Sequence, residues 1–127
     1  MIKTIRGLSV SGTLVLIAAL LSPASSAVSA EQKTAKGSDL EQGKKLAFSR
    51  KKGNCLACHM IKDGVSPGNI APPLLMMKSR FPDKKVLRAQ IWDASKRNPE
   101  TAMPLFGKYE VLTGDELDKV VDFIYSL

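Results

Sequence analysis

Histidine occurs once in this sequence and cysteine twice, in a chain of 127 residues. A site that needs two imidazoles cannot be built from this chain alone. Two thiols exclude a multi-disulfide scaffold and a four-cysteine zinc or iron–sulfur centre. Charged residues make up 24% and mean hydropathy is −0.04, which excludes a polytopic membrane protein and argues against wholesale disorder. Also missing are an alternating strand pattern, an internal repeat and any low-complexity segment. The length suits one domain.

The first thirty residues read as a secretory leader. Lys3 and Arg6 form a positive head, Leu8 to Leu21 is an uncharged apolar run, and Ser22-Pro23 breaks it ahead of small residues up to Val28-Ser29-Ala30. That order is the one a signal peptide requires. The apolar centre of 14 residues is short against the ~20 that span a bilayer as a helix. An uncleaved N-terminal anchor is the alternative, and no cysteine lies near the cleavage region to carry a lipid. Cleavage after Ala30 leaves 97 residues from Glu31 and lowers the formal charge from +7 to +5. The expectation is an exported, periplasmic protein with no stable membrane insertion.

In the remainder, residues 31–37 are polar and aperiodic and read as a flexible lead to a domain over 38–127. Ser38 is a candidate N-cap. Leu40, Gly43, Leu46 and Ala47 then recur at helical spacing until Lys51-Lys52-Gly53. Residues 64–73 hold two glycines and three prolines and predict an irregular loop. Leu74–Lys78 fits one or two helical turns. Pro82 suits the first position of a helix running to about Ser95, and Asn98 to Phe106 is a second Pro-punctuated loop. Thr113 and Glu116 have capping-box spacing, with Leu117, Val120, Val121 and Ile124 at i, i+3, i+4 and i+7 behind them. The fold class is therefore all-α, with two long loops. Loops of that length in so small a domain are commonly functional, and a large apolar cofactor would fill the space between them and the helices.

Cys55-Leu56-Ala57-Cys58-His59 is C-x-x-C-H, the attachment signature of c-type haem. Two thiols at i and i+3 can each add to a haem vinyl group, and the next residue places an imidazole at the iron. The imidazole's second nitrogen can donate to a backbone carbonyl that orients the ring. A thioredoxin-like dithiol would need a strand–helix setting that the sequence does not show. A zinc site would lack further Cys or His ligands, and a Cys55–Cys58 disulfide stays open. Export favours haem, because covalent attachment follows it.

With His59 on the iron, the opposite ligand cannot be a second histidine. Methionine is the usual partner in electron-carrying c-type cytochromes. Met60 is too close to His59 to reach around the ring. Met76 and Met77 share one short segment and suit packing on the macrocycle or in the core. Met103 sits in Thr101-Ala102-Met103-Pro104, 44 residues after His59, in a loop that Pro104 stiffens. Met103 is favoured, and Met76, Met77, a lysine or an open site stay as alternatives.

The order of these features resembles the class I c-type cytochromes over essentially the whole of 38–127. The resemblance implies crossed N- and C-terminal helices with one or two further short helices around one haem. Gly43 would lie at the crossing, against the Leu117–Ile124 face. It also implies that the family's Gly-Pro turn, whose proline carbonyl accepts from the haem histidine, corresponds to Ala71-Pro72, with alanine in place of the glycine. Three segments are similar to the SoxX family, the monohaem subunits of the SoxAX complexes of sulfur-oxidising bacteria. These are Gly53–His59, Phe81-Pro82-Asp83-Lys84 and Asn98-Pro99-Glu100-Thr101-Ala102-Met103-Pro104-Leu105-Phe106-Gly107. This resemblance implies a complex that oxidatively joins thiosulfate to a cysteine of a sulfur-carrier protein. The larger SoxA-type cytochrome subunit would hold the reactive cysteine-ligated haem, and the small subunit would pass electrons to a downstream acceptor.

The cysteine count agrees. Once Cys55 and Cys58 hold haem, no third thiol remains for a persulfide or mixed disulfide, so this chain offers one-electron transfer and its partner the thiol chemistry. A free periplasmic electron shuttle serving a terminal oxidase or reductase is the rival function. Clusters at Lys44-Lys45, Arg50-Lys51-Lys52, Lys84-Lys85 and Lys96-Arg97 read first as solvated faces and second as a rim that steers an acidic partner. Export argues against nucleic acid. Phe81, Trp92, Phe106 and Tyr109 suit pocket or core packing more than an electron relay.

Overall fold

The computed structural model describes residues 27–127, with side chains from Gly37 onward. Residues 1–26 of the expected leader lie outside the described residues, and Ala27–Ala30 open the first helix. Helices α1 (Ala27–Phe48), α2 (Met77–Arg80), α3 (Lys84–Trp92) and α4 (Gly114–Tyr125) follow in order, with 3-10 turns at Cys55–Ala57 and Ala94–Lys96. Among the described residues there is no strand, only a parallel bridge between Ile61 and Leu74. No described helix is long and apolar enough to cross a membrane.

The frame is the crossing of α1 on α4. A Cβ at Gly43 would stand 2.0 Å from the Lys119 carbonyl oxygen and 3.0 Å from Phe123 Cβ, so only glycine permits this approach. Around it, Leu117, Val120, Val121, Phe123 and Ile124 of α4 are buried, with Ala47 facing them from α1. Phe48 meets Phe123 edge-on with centroids 5.9 Å apart. Leu87 and Ile91 of α3 and Met77 of α2 complete the packing, with Ile61, Phe106 and Leu112 from the connecting segments.

The start of α4 forms as its sequence predicts. Glu116 N–H donates to Thr113 Oγ1 at 3.3 Å, and Thr113 N–H donates to the Glu116 carboxylate at 3.0 Å. That carboxylate also receives Lys52 Nζ at 2.9 Å, which ties the segment before Cys55 to the frame.

Four boundaries differ from the sequence reading. Helix α1 begins at Ala27, so the expected lead at 31–37 has helical backbone and Ser38 lies inside the helix instead of capping it. Glu, Gln, Lys and Ala are good helix formers, and no proline interrupts them. Asp83, not Pro82, sets the start of α3: its carboxylate accepts from Lys85 N–H at 2.8 Å, and Pro82 stands outside the helix. That helix ends at Trp92 and not near Ser95, because Asp93 leaves helical geometry and its buried carboxylate accepts from Ser95 N–H at 3.1 Å. The short helix expected at Leu74–Lys78 is displaced to Met77–Arg80, entered through Met76 in the left-handed region at φ 52°.

Candidate haem site

Gly53 brings the chain from α1 to the cysteines. Its N–H donates to the Leu46 carbonyl at 3.1 Å, and a Cβ there would meet Leu46 O at 2.9 Å and Cys55 Sγ at 3.3 Å. Asn54 then turns the backbone through φ 46°, a conformation asparagine tolerates better than most residues. The following turn is closed by Cys58 N–H and His59 N–H on the Cys55 carbonyl, at 3.3 and 2.9 Å. Cys55 and Cys58 are free, half-buried thiols on the same turn. Burial pushes the Cys55 thiol up to about 11.

The loop after His59 is fastened to this turn. Gly68 N–H donates to Leu56 O at 2.7 Å, Ala71 N–H to Cys58 O at 3.1 Å, and Leu74 N–H to Met60 O at 2.9 Å. A Cβ on Gly68 would fall 2.1 Å from the Ala57 carbonyl oxygen. Between these bonds, His59 Nδ1 lies 2.7 Å from the Pro72 carbonyl oxygen. A carbonyl only accepts, so Nδ1 carries the proton and Nε2 keeps its lone pair, as a metal-binding imidazole needs.

The second loop is organised around Asn98 and Thr101. Asn98 Oδ1 accepts from Glu100 N–H and Asn98 O from Thr101 N–H, both at 3.1 Å. Thr101 Oγ1 accepts from Met103 N–H at 3.1 Å. Local side-chain acceptors of this kind shape a turn without a strand or helix. Beyond it, Gly107 and Lys108 N–H both reach the Trp92 carbonyl, at 3.1 and 3.2 Å, and Lys108 Nζ stands 3.7 Å from Asp93. The Trp92 ring covers Gly107, where a Cβ would come within 2.0 Å of it.

The structure sorts the methionines. Met77 is 1% exposed in the core, and its sulfur faces Arg80 Nη1 at 3.6 Å. Met60 and Met76 are 54% and 63% exposed. Met103 is half-buried against the same apolar cluster as Cys55, Leu56, Leu74 and Phe81. Phe106 is core, and Trp92 and Tyr109 remain exposed. Sequence reasoning gave no role to Gly68, Gly107, Asp93 or Arg80. The glycines are detectable only as loop residues, and nothing local marks the other two.

These residues suit a covalently held haem: free thiols on one turn, an imidazole of fixed tautomer, and half-buried apolar side chains beside them. Residues 38–124 match the family described as cytochrome C oxidase, cbb3-type, subunit III, and the chain belongs to that family of c-type cytochrome domains. It carries one haem c through Cys55 and Cys58. No curated protein matches the chain. Among solved structures it is similar to SoxXA from P. pantotrophus, at 28% identity and a TM-score of 0.61, over 68% of this chain and 79% of that one. The protein is thus a class I c-type cytochrome related to SoxX.

Proposed function

We propose that this protein is the small electron-transfer subunit of a SoxAX-type complex, exported to the periplasm by residues 1–30, where its larger partner joins thiosulfate to a carrier cysteine. The likeness to SoxXA over 68% of the chain carries this reading. The thiol inventory supports it, because both cysteines are committed to haem and none is left to hold sulfur.

In this reading the haem supplies a one-electron couple. His59 would hold the iron through Nε2, kept in that tautomer by Pro72 O. Met103, presented by the Asn98–Thr101 turn and stiffened by Pro104, would be the second protein ligand. Half-buried Leu56, Leu74 and Phe81 would keep water from the group and so limit reorganisation when its charge changes. Two substitutions test the ligands. Met103→Ala should abolish the sulfur-to-iron charge-transfer absorption, and Met76→Ala should leave it intact. The reverse result removes Met103 from the site.

The function is tested on the protein isolated with its native partners. Thiosulfate and the carrier protein together should reduce its haem. A haem that stays oxidised under those conditions, yet is reduced rapidly by another periplasmic donor, makes the protein an independent electron carrier.

A further inference from the structure

We infer that Arg80 is a positioning residue for the haem histidine, acting through the Pro72–Pro73 segment; this rests on His59 being an iron ligand. Pro72 and Pro73 have no N–H, so the dipeptide's own backbone can hydrogen-bond only through its two carbonyls. Pro72 O accepts from His59 Nδ1 at 2.7 Å. Pro73 O accepts from Arg80 Nη1 at 2.8 Å. The neighbours on either side are fastened to the residues flanking His59, Ala71 N–H to Cys58 O and Leu74 N–H to Met60 O. Arg80 thus supplies the donor for the second of these carbonyls, as His59 does for the first.

The guanidinium is itself placed from behind. Arg80 ends α2, its N–H donates to Met76 O at 3.1 Å, and Met77 on the same turn is 1% exposed with its N–H on Leu127 O at 3.0 Å. The donor therefore projects from an anchored turn onto a segment with no donors of its own. Its removal frees the Pro72 carbonyl to move, and the His59 N–H bond lengthens. A weaker Nδ1–H donation makes the imidazole a poorer electron donor to the iron, so the ferric state loses stabilisation.

A purely electrostatic role for Arg80 gives the opposite sign. Loss of a positive charge near the haem favours the ferric state. The test compares the wild-type holoprotein with Arg80→Met and Arg80→Lys, reading the reduction potential and the solvent-exchange rate of the His59 ring N–H by proton NMR. Positioning predicts that Arg80→Met shifts the couple toward the reduced state by about threefold, where tenfold is 59 mV for one electron. It also predicts faster ring N–H exchange in Arg80→Met, with both effects partly restored by Arg80→Lys. A shift toward the oxidised state with unchanged exchange overturns the inference and leaves Arg80 as a charge. Unchanged values in both variants also overturn it. If the wild type shows no iron-bound imidazole resonance, the ligation by His59 fails, which is a distinct outcome from an imidazole that is bound and insensitive to Arg80.

Discussion

The α1–α4 crossing and the loops between residues 53 and 106 are held by different means. The crossing packs the apolar face of α4 on Gly43 and Ala47 of α1, with Lys119 Nζ reaching Gln42 Oε1 at 2.6 Å and Asp39 at 3.7 Å at its edge. The loops contribute few buried side chains, and Val65, Ile70 and Leu75 are 84%, 78% and 48% exposed. What orders them is a series of backbone and side-chain hydrogen bonds, close approaches at Gly68 and Gly107, and prolines that restrict the chain. A frame built on burial tolerates changes on its solvent side. A site built on turns places individual atoms, such as Pro72 O and Met103 N, and each of these depends on one or two neighbours.

Substitutions separate the two regions, and the largest effect is expected in the loops. Cys55→Ala with Cys58→Ala should abolish covalent haem retention, read as loss of haem staining after denaturing electrophoresis. Retained staining would remove the two thioether links from the site. Next comes the crossing. Gly43→Ala drives a Cβ into the Lys119 carbonyl and should cost about 3 kcal/mol in denaturant unfolding, the upper range for overpacking. An unchanged midpoint would mean that the helices cross elsewhere. Thr101→Val removes the acceptor for Met103 N–H but keeps the side-chain shape. It should cost about 1 kcal/mol and weaken the sulfur-to-iron absorption, leaving the helical circular dichroism unchanged.

The smallest effect is a pH dependence. Thr113 N–H, and after it Lys52 Nζ, hold the Glu116 carboxyl below its ordinary value of 4.5. A lowered pKa means that the ionised carboxylate stabilises the fold above the unfolded value, and that this contribution is lost as pH falls through the folded one. Glu116→Gln keeps an acceptor for the cap and removes the charge. Its urea midpoint should lie slightly below wild type at pH 7, corresponding to a loss of less than about 1 kcal/mol in unfolding free energy for a partly exposed pair. The two midpoints should converge as pH falls below about 4.5. Parallel curves down to acid pH would take Glu116 out of the acid response.

Much of the frame was legible because its signals are local and periodic. Thr113, Glu116 and the Leu117–Ile124 spacing specify α4 without reference to the rest of the chain. The C-x-x-C-H run is equally local, since a helical turn brings both thiols to one side. Asn98 and Thr101 were visible as part of a motif, though their task of accepting from Glu100 and Met103 N–H was not. The start of α3 was misplaced by two residues, from Pro82 to Lys84, because Pro82 and Asp83 are both good entry signals, and the side-chain bond to Lys85 decides between them. The end of α3 depends on a buried Asp93 whose burial no neighbouring residue announces.

By itself, the sequence determined the attachment of one haem, the helical class and the candidate ligand His59, because each follows from residue type and short spacing. It also narrowed the second ligand to a few methionines. Tertiary structure alone decided that Met77 is core and that Met103 packs against the core cluster that Cys55 also borders, that Gly68 must lack a Cβ, and that Arg80 reaches Pro73 O. Those facts depend on segments far apart in the chain approaching within bonding distance. Chain spacing carries no record of that approach.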